Sequence, residues 1–163
     1  MSEIDWDSVN KKIKRFSLEN QIKLGKCVDV YDGDTITIVG HVKYNPDLFR
    51  FSVRLNGIDC PEMKGKNDNE KIVAKFAKQY IQDIIYDKIV TLEDVALDKY
   101  GRVLAKVMFG HRDIAKELLE KNMAVAYDGG TKEKSYEELR QKRIADGSWT
   151  YGSDHEDVGY QGE

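Results

Sequence analysis

The sequence predicts an α+β, β-rich domain: a small closed barrel of five short antiparallel strands with three helices, preceded by an N-terminal helical extension. Three observations carry that expectation. Alternation of apolar and polar residues recurs in five short segments, one long segment of helical period follows the third of them, and two more helical segments come at the end. Strands and helices therefore do not alternate as they would in a parallel βαβ sheet. At 163 residues and 18.7 kDa there is room for one domain with a real core and little surplus for a second.

Residues 1–20 place Trp6, Val9, Ile13, Phe16 and Leu18 among lysines at roughly helical spacing, which predicts an amphipathic helix ahead of the main domain. The domain itself is expected over 21–150. Val28 and Val30 alternate with polar neighbours, Asp32-Gly33 makes a turn, and Ile36 and Ile38 alternate with threonines, so a hairpin is expected. The clearest strand is 49–56, with Phe49, Phe51, Val53 and Leu55 on one face and Arg54 on the other.

Asn67 and Glu70 form a capping-box pattern that opens the main core helix, whose stripe is Ile72, Val73, Phe76, Ala77, Tyr80, Ile81, Ile84 and Ile85. Strands follow at about 88–95 and 101–109, joined by Leu97-Asp98-Lys99-Tyr100-Gly101-Arg102. Helices are expected at 113–122 and 135–145, the second opened by Ser135 and Glu138. Residues 151–163, rich in glycine and carboxylates, read as a flexible acidic tail. A barrel with a long helix after its third strand suggests the oligonucleotide-binding type.

The balance of 40% hydrophobic and 34% charged residues is that of a globular chain, and no apolar run spans a bilayer. The N-terminus lacks the basic start and apolar stretch of a secretory signal, so an intracellular location, cytoplasmic or nuclear, is expected, with no membrane partner. Two cysteines cannot build a disulfide scaffold and read as reduced thiols. A net charge of −3 argues against coating nucleic acid by charge alone; any such contact must use a local patch.

Three segments hold the chemistry: Asp32-Gly33-Asp34-Thr35, Arg54 to Glu62, and Asp98 to Arg102. Alone, each has a plain reading, since Asp-Gly is what tight turns use, and loop carboxylates and strand cations are usually just solvated. Together they supply what phosphodiester hydrolysis needs: acids to hold a cation and a water, and arginines to neutralise charge on phosphate oxygens. Carboxylate oxygens suit a hard cation such as Ca²⁺, and no Cys/His set is present for a softer metal.

In this order the three segments resemble the signature blocks of the staphylococcal nuclease (thermonuclease) family, over roughly residues 21–150. The resemblance implies a five-stranded oligonucleotide-binding barrel with three helices. It implies that Asp34, Asp59 and the main-chain carbonyl of Cys60 ligate Ca²⁺, with Asp32 as a supporting acid. Glu62 would orient or deprotonate the attacking water, Arg54 and Arg102 would grip the phosphate, and Lys99, Tyr100 and Tyr127 would hold substrate.

The implied activity is calcium-dependent, sugar-nonspecific hydrolysis of single- and double-stranded DNA and of RNA, leaving 3′-phosphate ends, by a monomer. The chain departs from the family at Asp128-Gly129-Gly130, where a second stacking tyrosine does not align, in a longer connection from Gly40 to Leu48, and at Cys60, whose thiol is expected to lie open to oxidation near the site. A non-catalytic binding or scaffold module of the same fold is the alternative; the presence of Asp34, Arg54, Asp59, Glu62 and Arg102 together favours the enzyme.

Overall fold

The computed structural model describes residues 2–64, 68–127, 141, 142 and 145. Strand β1 (Leu24–Asp32) turns through Gly33-Asp34 into β2 (Thr35–His41), and β3 (Leu48–Leu55) pairs along β2. A two-residue strand β4 (Ile58–Asp59) precedes helix α1 (Asp68–Ile85), and β5 (Ile89–Leu97) and β6 (Val103–Phe109) form a second hairpin. The short β7 (Arg112–Asp113) leads into α2 (Ile114–Glu120), and β8 (Val125–Ala126) returns to pair with β4.

The five long strands close in the order β3-β2-β1-β5-β6, with β3 meeting β6. This is the oligonucleotide-binding barrel, with one correction. The closing pair is parallel, through Val53↔Val103, Arg54↔Leu104 and Leu55↔Ala105. Geometry requires it: in a ring of five strands whose other neighbours all run antiparallel, the last pair must run the same way.

Inward residues meet at period two, so Val30, Ile36, Ile38, Val53, Leu55, Val90 and Val107 are all buried in one core. Helix α1 closes that core with Ala77, Ile81 and Ile85, each fully buried, while Ile72, Phe76, Tyr80 and Ile84 are partly covered beside them. The stripe expected from the sequence is thus the stripe observed. Register shifts between Cys27 and Asp29 and between Val30 and Asp32 bend β1 around the barrel.

The N-terminal helix is a second correction. Residues 5–20 contain one 3-10 turn, Trp6–Ser8, capped by Asp5, and Trp6, Ile13 and Phe16 are exposed. Helical spacing of apolar residues stabilises a helix only where the stripe is buried, and a segment this short is marginal alone. Leu18 packs on the core and Ile22 is buried within it, so the arm is anchored only at its base.

Among the described residues no helix is long and apolar enough to cross a membrane. Most of the helix expected at 135–145 lies outside the described residues, although Gln141, Lys142 and Ala145 are helical. The capping residues Asn67, Ser135 and Glu138 and the tail 151–163 also lie outside them.

The two helices are tied by a polar cluster. Tyr80 Oη donates to Glu117 Oε1 at 2.6 Å, and Arg112 grips the same carboxylate from Nε and Nη2 at 2.9 and 2.6 Å. The Arg112 guanidinium first, then the Tyr80 hydroxyl, hold the Glu117 carboxyl below its ordinary range, while burial works the other way. Glu117→Gln is expected to cost about 1 kcal/mol near neutral pH by chemical denaturation. A carboxyl whose folded pKa is depressed stabilises above its unfolded value, so the difference from wild type should vanish as acid carries the pH through the lowered folded value.

Candidate active site

The site is built at one end of the barrel, where the turn after β1, the end of β3 and the β5–β6 loop converge. Its first part is the turn. Asp34 N–H donates to Asp32 Oδ1 at 3.1 Å, and Thr35 Oγ1 donates to Asp34 Oδ1 at 3.0 Å, so both acids are fixed by local bonds of the kind that favours Asp in turns. A Cβ on Gly33 would stand 2.6 Å from Ala77 Cβ and 2.7 Å from Cys60 Sγ. Only glycine lets this turn seat against α1.

The second part is the run from Arg54 to Glu62. Thr35 lies across from Arg54 in the β2–β3 ladder, which brings the guanidinium beside the Asp34 carboxylate. Arg54 Nη2 reaches Asp59 Oδ1 at 3.0 Å and Asp34 Oδ2 at 3.6 Å, while Nη1 donates to the Ile58 carbonyl at 3.1 Å. The Cys60 N–H donates to Asp34 Oδ2 at 2.9 Å, stitching the two segments together. β4 and β8 hold this loop from behind through Ile58↔Ala126 and Asp59↔Val125, and Tyr127 N–H donates to the Gly57 carbonyl at 2.9 Å.

Asp32, Asp34 and Asp59 are buried, a state carboxylates rarely adopt without partners, and Asp34 and Asp59 have theirs in Arg54. Burial, and then the neighbouring Asp34 charge, push the Asp32 carboxyl up to about 7. Arg54 is the cation set between Asp34 and Asp59, and its ring-facing side lies 5.4 Å from the Tyr127 centroid.

The third part is the loop after β5. Asp98 Oδ1 accepts from the N–H groups of Tyr100 and Arg102 at 2.8 and 2.9 Å, and Asp98 Oδ2 takes Arg102 Nε at 2.7 Å. Gly101 sits at φ +81°, which lets the chain turn back within four residues. Burial raises the Asp98 carboxyl, but the bonds from Arg102 and Tyr100 outweigh it and its pKa is lowered. Lys99 and Arg102 both lie over the Tyr100 ring, 5.2 and 5.5 Å from its centroid, and Tyr100 is 73% exposed.

All ten residues singled out by the sequence line one cleft of about 610 Å³: Asp32, Asp34, Arg54, Asp59, Cys60, Glu62, Lys99, Tyr100, Arg102 and Tyr127. The parallel closing pair accounts for the meeting of the two arginines, since it sets Arg54 against Leu104, two residues beyond Arg102. Glu62 is exposed on the cleft wall.

Three findings went unread in the sequence. Asp98 organises the loop that carries Arg102, signalled only by an Asp two and four residues ahead of the N–H groups it accepts from. Tyr31, 64% exposed, adds an aromatic face beside the Asp-Gly-Asp turn. The Cys60 thiol, expected to be open to oxidation, is buried, and burial pushes its pKa well up, so it packs under Gly33 as an inert apolar group. Cys27 is likewise buried and unbridged.

Among the described residues no cluster of three or more His, Cys, Asp and Glu side chains stands ready to hold a metal. Two buried carboxylates, Asp34 and Asp59, instead converge on a single cationic nitrogen of Arg54. That oxygen-only pair, beside the Cys60 main chain, matches the preference of a hard divalent cation that completes its shell with water.

Comparison with known proteins places this geometry. The family model described as staphylococcal nuclease homologue matches residues 52–145, from within β3 onward, so Asp32 and Asp34 precede the matched segment. A protein of Schizosaccharomyces pombe named as a probable endonuclease is 34% identical over 85 residues, covering 48% of this chain and 37% of that one. The probable endonuclease LCL3 of Clavispora lusitaniae is 28% identical over 165 residues, covering 83% of this chain and 71% of its own length. An uncharacterized endonuclease of Haemophilus influenzae is 31% identical over 122 residues, 75% of this chain and 62% of the relative. The chain thus spans from about a third to under three quarters of the length of these relatives.

Gly33→Ala tests the seating of the turn. The added methyl group must displace Ala77 or Cys60, so thermal or denaturant unfolding should show a loss of about 1–3 kcal/mol. Wild-type stability in this variant would mean that the turn has room to move.

Proposed function

The chain belongs to the staphylococcal nuclease homologue family, and from that premise we propose that it is a calcium-dependent nuclease cutting DNA and RNA without regard to the sugar. One observation carries the reading: two arginines, a glutamate and two buried carboxylates from three separate segments line the same cleft. Solvation alone gives no reason for that meeting.

The roles follow from the chemistry of each group. Arg54 and Arg102 present planar forks suited to two phosphate oxygens, and each is already oriented by carboxylates: Asp34 and Asp59 for Arg54, Asp98 for Arg102. Glu62, exposed on the cleft wall, is placed to orient or deprotonate a water for attack on phosphorus. Asp34, Asp59 and the Cys60 carbonyl would hold Ca²⁺, with Asp32 supporting the turn. The bound ion supplies charge neutralisation at a phosphate oxygen.

Substrate holding falls to aromatic faces. Tyr100 and Tyr127 flank the arginines, and a tyrosine ring stacks on any base, so affinity comes without sequence preference. Lys99 adds a cation at the same rim. Attack that expels the 5′-oxygen leaves 3′-phosphate ends.

Incubation of single-stranded and duplex DNA and of RNA with the protein should give degradation in Ca²⁺ and none in chelator, and the products should block 3′ extension until treated with phosphatase. Glu62→Gln and Arg54→Ala should each lower the cleavage rate by roughly 10²–10⁴, with the circular-dichroism spectrum of wild type. Undiminished cleavage by folded Glu62→Gln would remove the assigned base. Binding without any cleavage, in calcium, magnesium or manganese, would make the chain a binding module of this fold.

A further inference from the structure

We propose that the N-terminal arm and the barrel end from which it leaves form a second nucleic-acid contact, remote from the cleft, that holds long substrates by phosphate charge and base stacking. The choice of ligand rests on the nuclease reading; the surface itself is read from the structure.

Three observations meet there. Between residues 11 and 23 the chain carries Lys11, Lys12, Lys14, Arg15 and Lys23 against one carboxylate, Glu19, a net +4 in a protein of net −3. All of these side chains are exposed. Phe16, 74% exposed, directly follows Arg15 in this run, whereas Trp6, 71% exposed, lies ahead of it between Asp5 and Asp7.

The arm is tied to the barrel by Lys43 N–H, which donates to the Gln21 carbonyl at 2.8 Å. This bond brings Lys43 and Tyr44 to the base of the arm, where they line a shallow recess of about 710 Å³ with Lys23 and His41. Tyr44 is 93% exposed at φ +66°, a conformation unfavourable for a residue with a side chain, and Lys43 Nζ lies 5.1 Å from its ring centroid.

Cations interleaved with outward aromatic rings are what sequence-tolerant binding of single strands requires. An anionic membrane surface fits less well. Insertion needs an apolar face presented on one side of a helix, and the arm forms no helix beyond Trp6–Ser8.

The spacing gives the proposal a length scale. β1 runs from Leu24, in the recess, to Asp32, in the cleft. Its rise of about 3.3 Å per residue puts the two at most roughly 26 Å apart, since β1 bends around the barrel. Stacked as in a helix, at about 3.4 Å per nucleotide, roughly eight nucleotides bridge that distance, and an extended strand bridges it with fewer. Only a strand much shorter than this is confined to one surface.

The test uses the full chain, the variant Lys11→Ala/Lys12→Ala/Lys14→Ala/Arg15→Ala, and labelled single strands of twice and about one quarter of the bridging length. Anisotropy in chelator at low salt should show the variant losing roughly tenfold in affinity for the long strand, with a shallower salt dependence, and nothing for the short one. Phe16→Ala with Tyr44→Ala should weaken the long strand alone. Cleavage of the short strand in Ca²⁺ should be unchanged in both variants.

Equal affinity of wild type and variant for the long strand overturns the proposal, as does an equal loss at both lengths. Arm-dependent binding to phosphatidylserine vesicles that the long strand does not compete away also overturns it, in favour of a membrane. Arm-dependent binding without cleavage by wild type would sink the nuclease reading and leave this one standing.

Discussion

The whole site depends on one buried electrostatic arrangement, the Arg54 guanidinium set between the carboxylates of Asp34 and Asp59. Charges removed from water are costly unless each finds partners, and here the partners come from three places in the chain. Asp34 is fixed by the turn and by the Cys60 N–H, Asp59 by the β4–β8 pair, and Arg54 by the β2–β3 ladder and the Ile58 carbonyl. Removing any one leaves a buried charge exposed to its opposite's absence, so the fold and the chemistry share a single constraint.

The barrel supplies that constraint through its strand number. Five strands cannot all run antiparallel to their neighbours in a closed ring, and the parallel pair that results joins β3 to β6. Those are the strands that carry Arg54 and follow Arg102. The position of the two arginines is therefore a consequence of closure. Glycine sets the remaining clearance, because the turn bearing Asp32 and Asp34 lies against Ala77 and Cys60 with no space for a methyl group.

Much of this was legible in the sequence, and the omissions have physical causes. Alternation in 49–56 and the stripe from Ile72 to Ile85 report burial directly, so the strands and α1 were readable. Period carries no strand direction, and the parallel closure had to come from counting strands. Spacing at Trp6, Val9, Ile13 and Phe16 matched a helix, yet the arm has no surface to bury that stripe against and remains a single turn. Nine of the ten residues lie in three segments where strands meet, and Tyr127 joins their cleft from the end of β8. The role of Asp98 was hidden because its work is hydrogen bonding within a loop, and the burial of the Cys60 thiol because it depends on a helix packed from elsewhere in the chain.

The most direct measurement of the central claim is a crystal structure of the protein with Ca²⁺ and a nucleotide bearing a 5′-phosphate. Density for the ion is expected between Asp34 and Asp59, with Arg54 and Arg102 turned onto the phosphate. An ion bound elsewhere, with Arg54 still locked on both carboxylates and the phosphate outside the cleft, would contradict it.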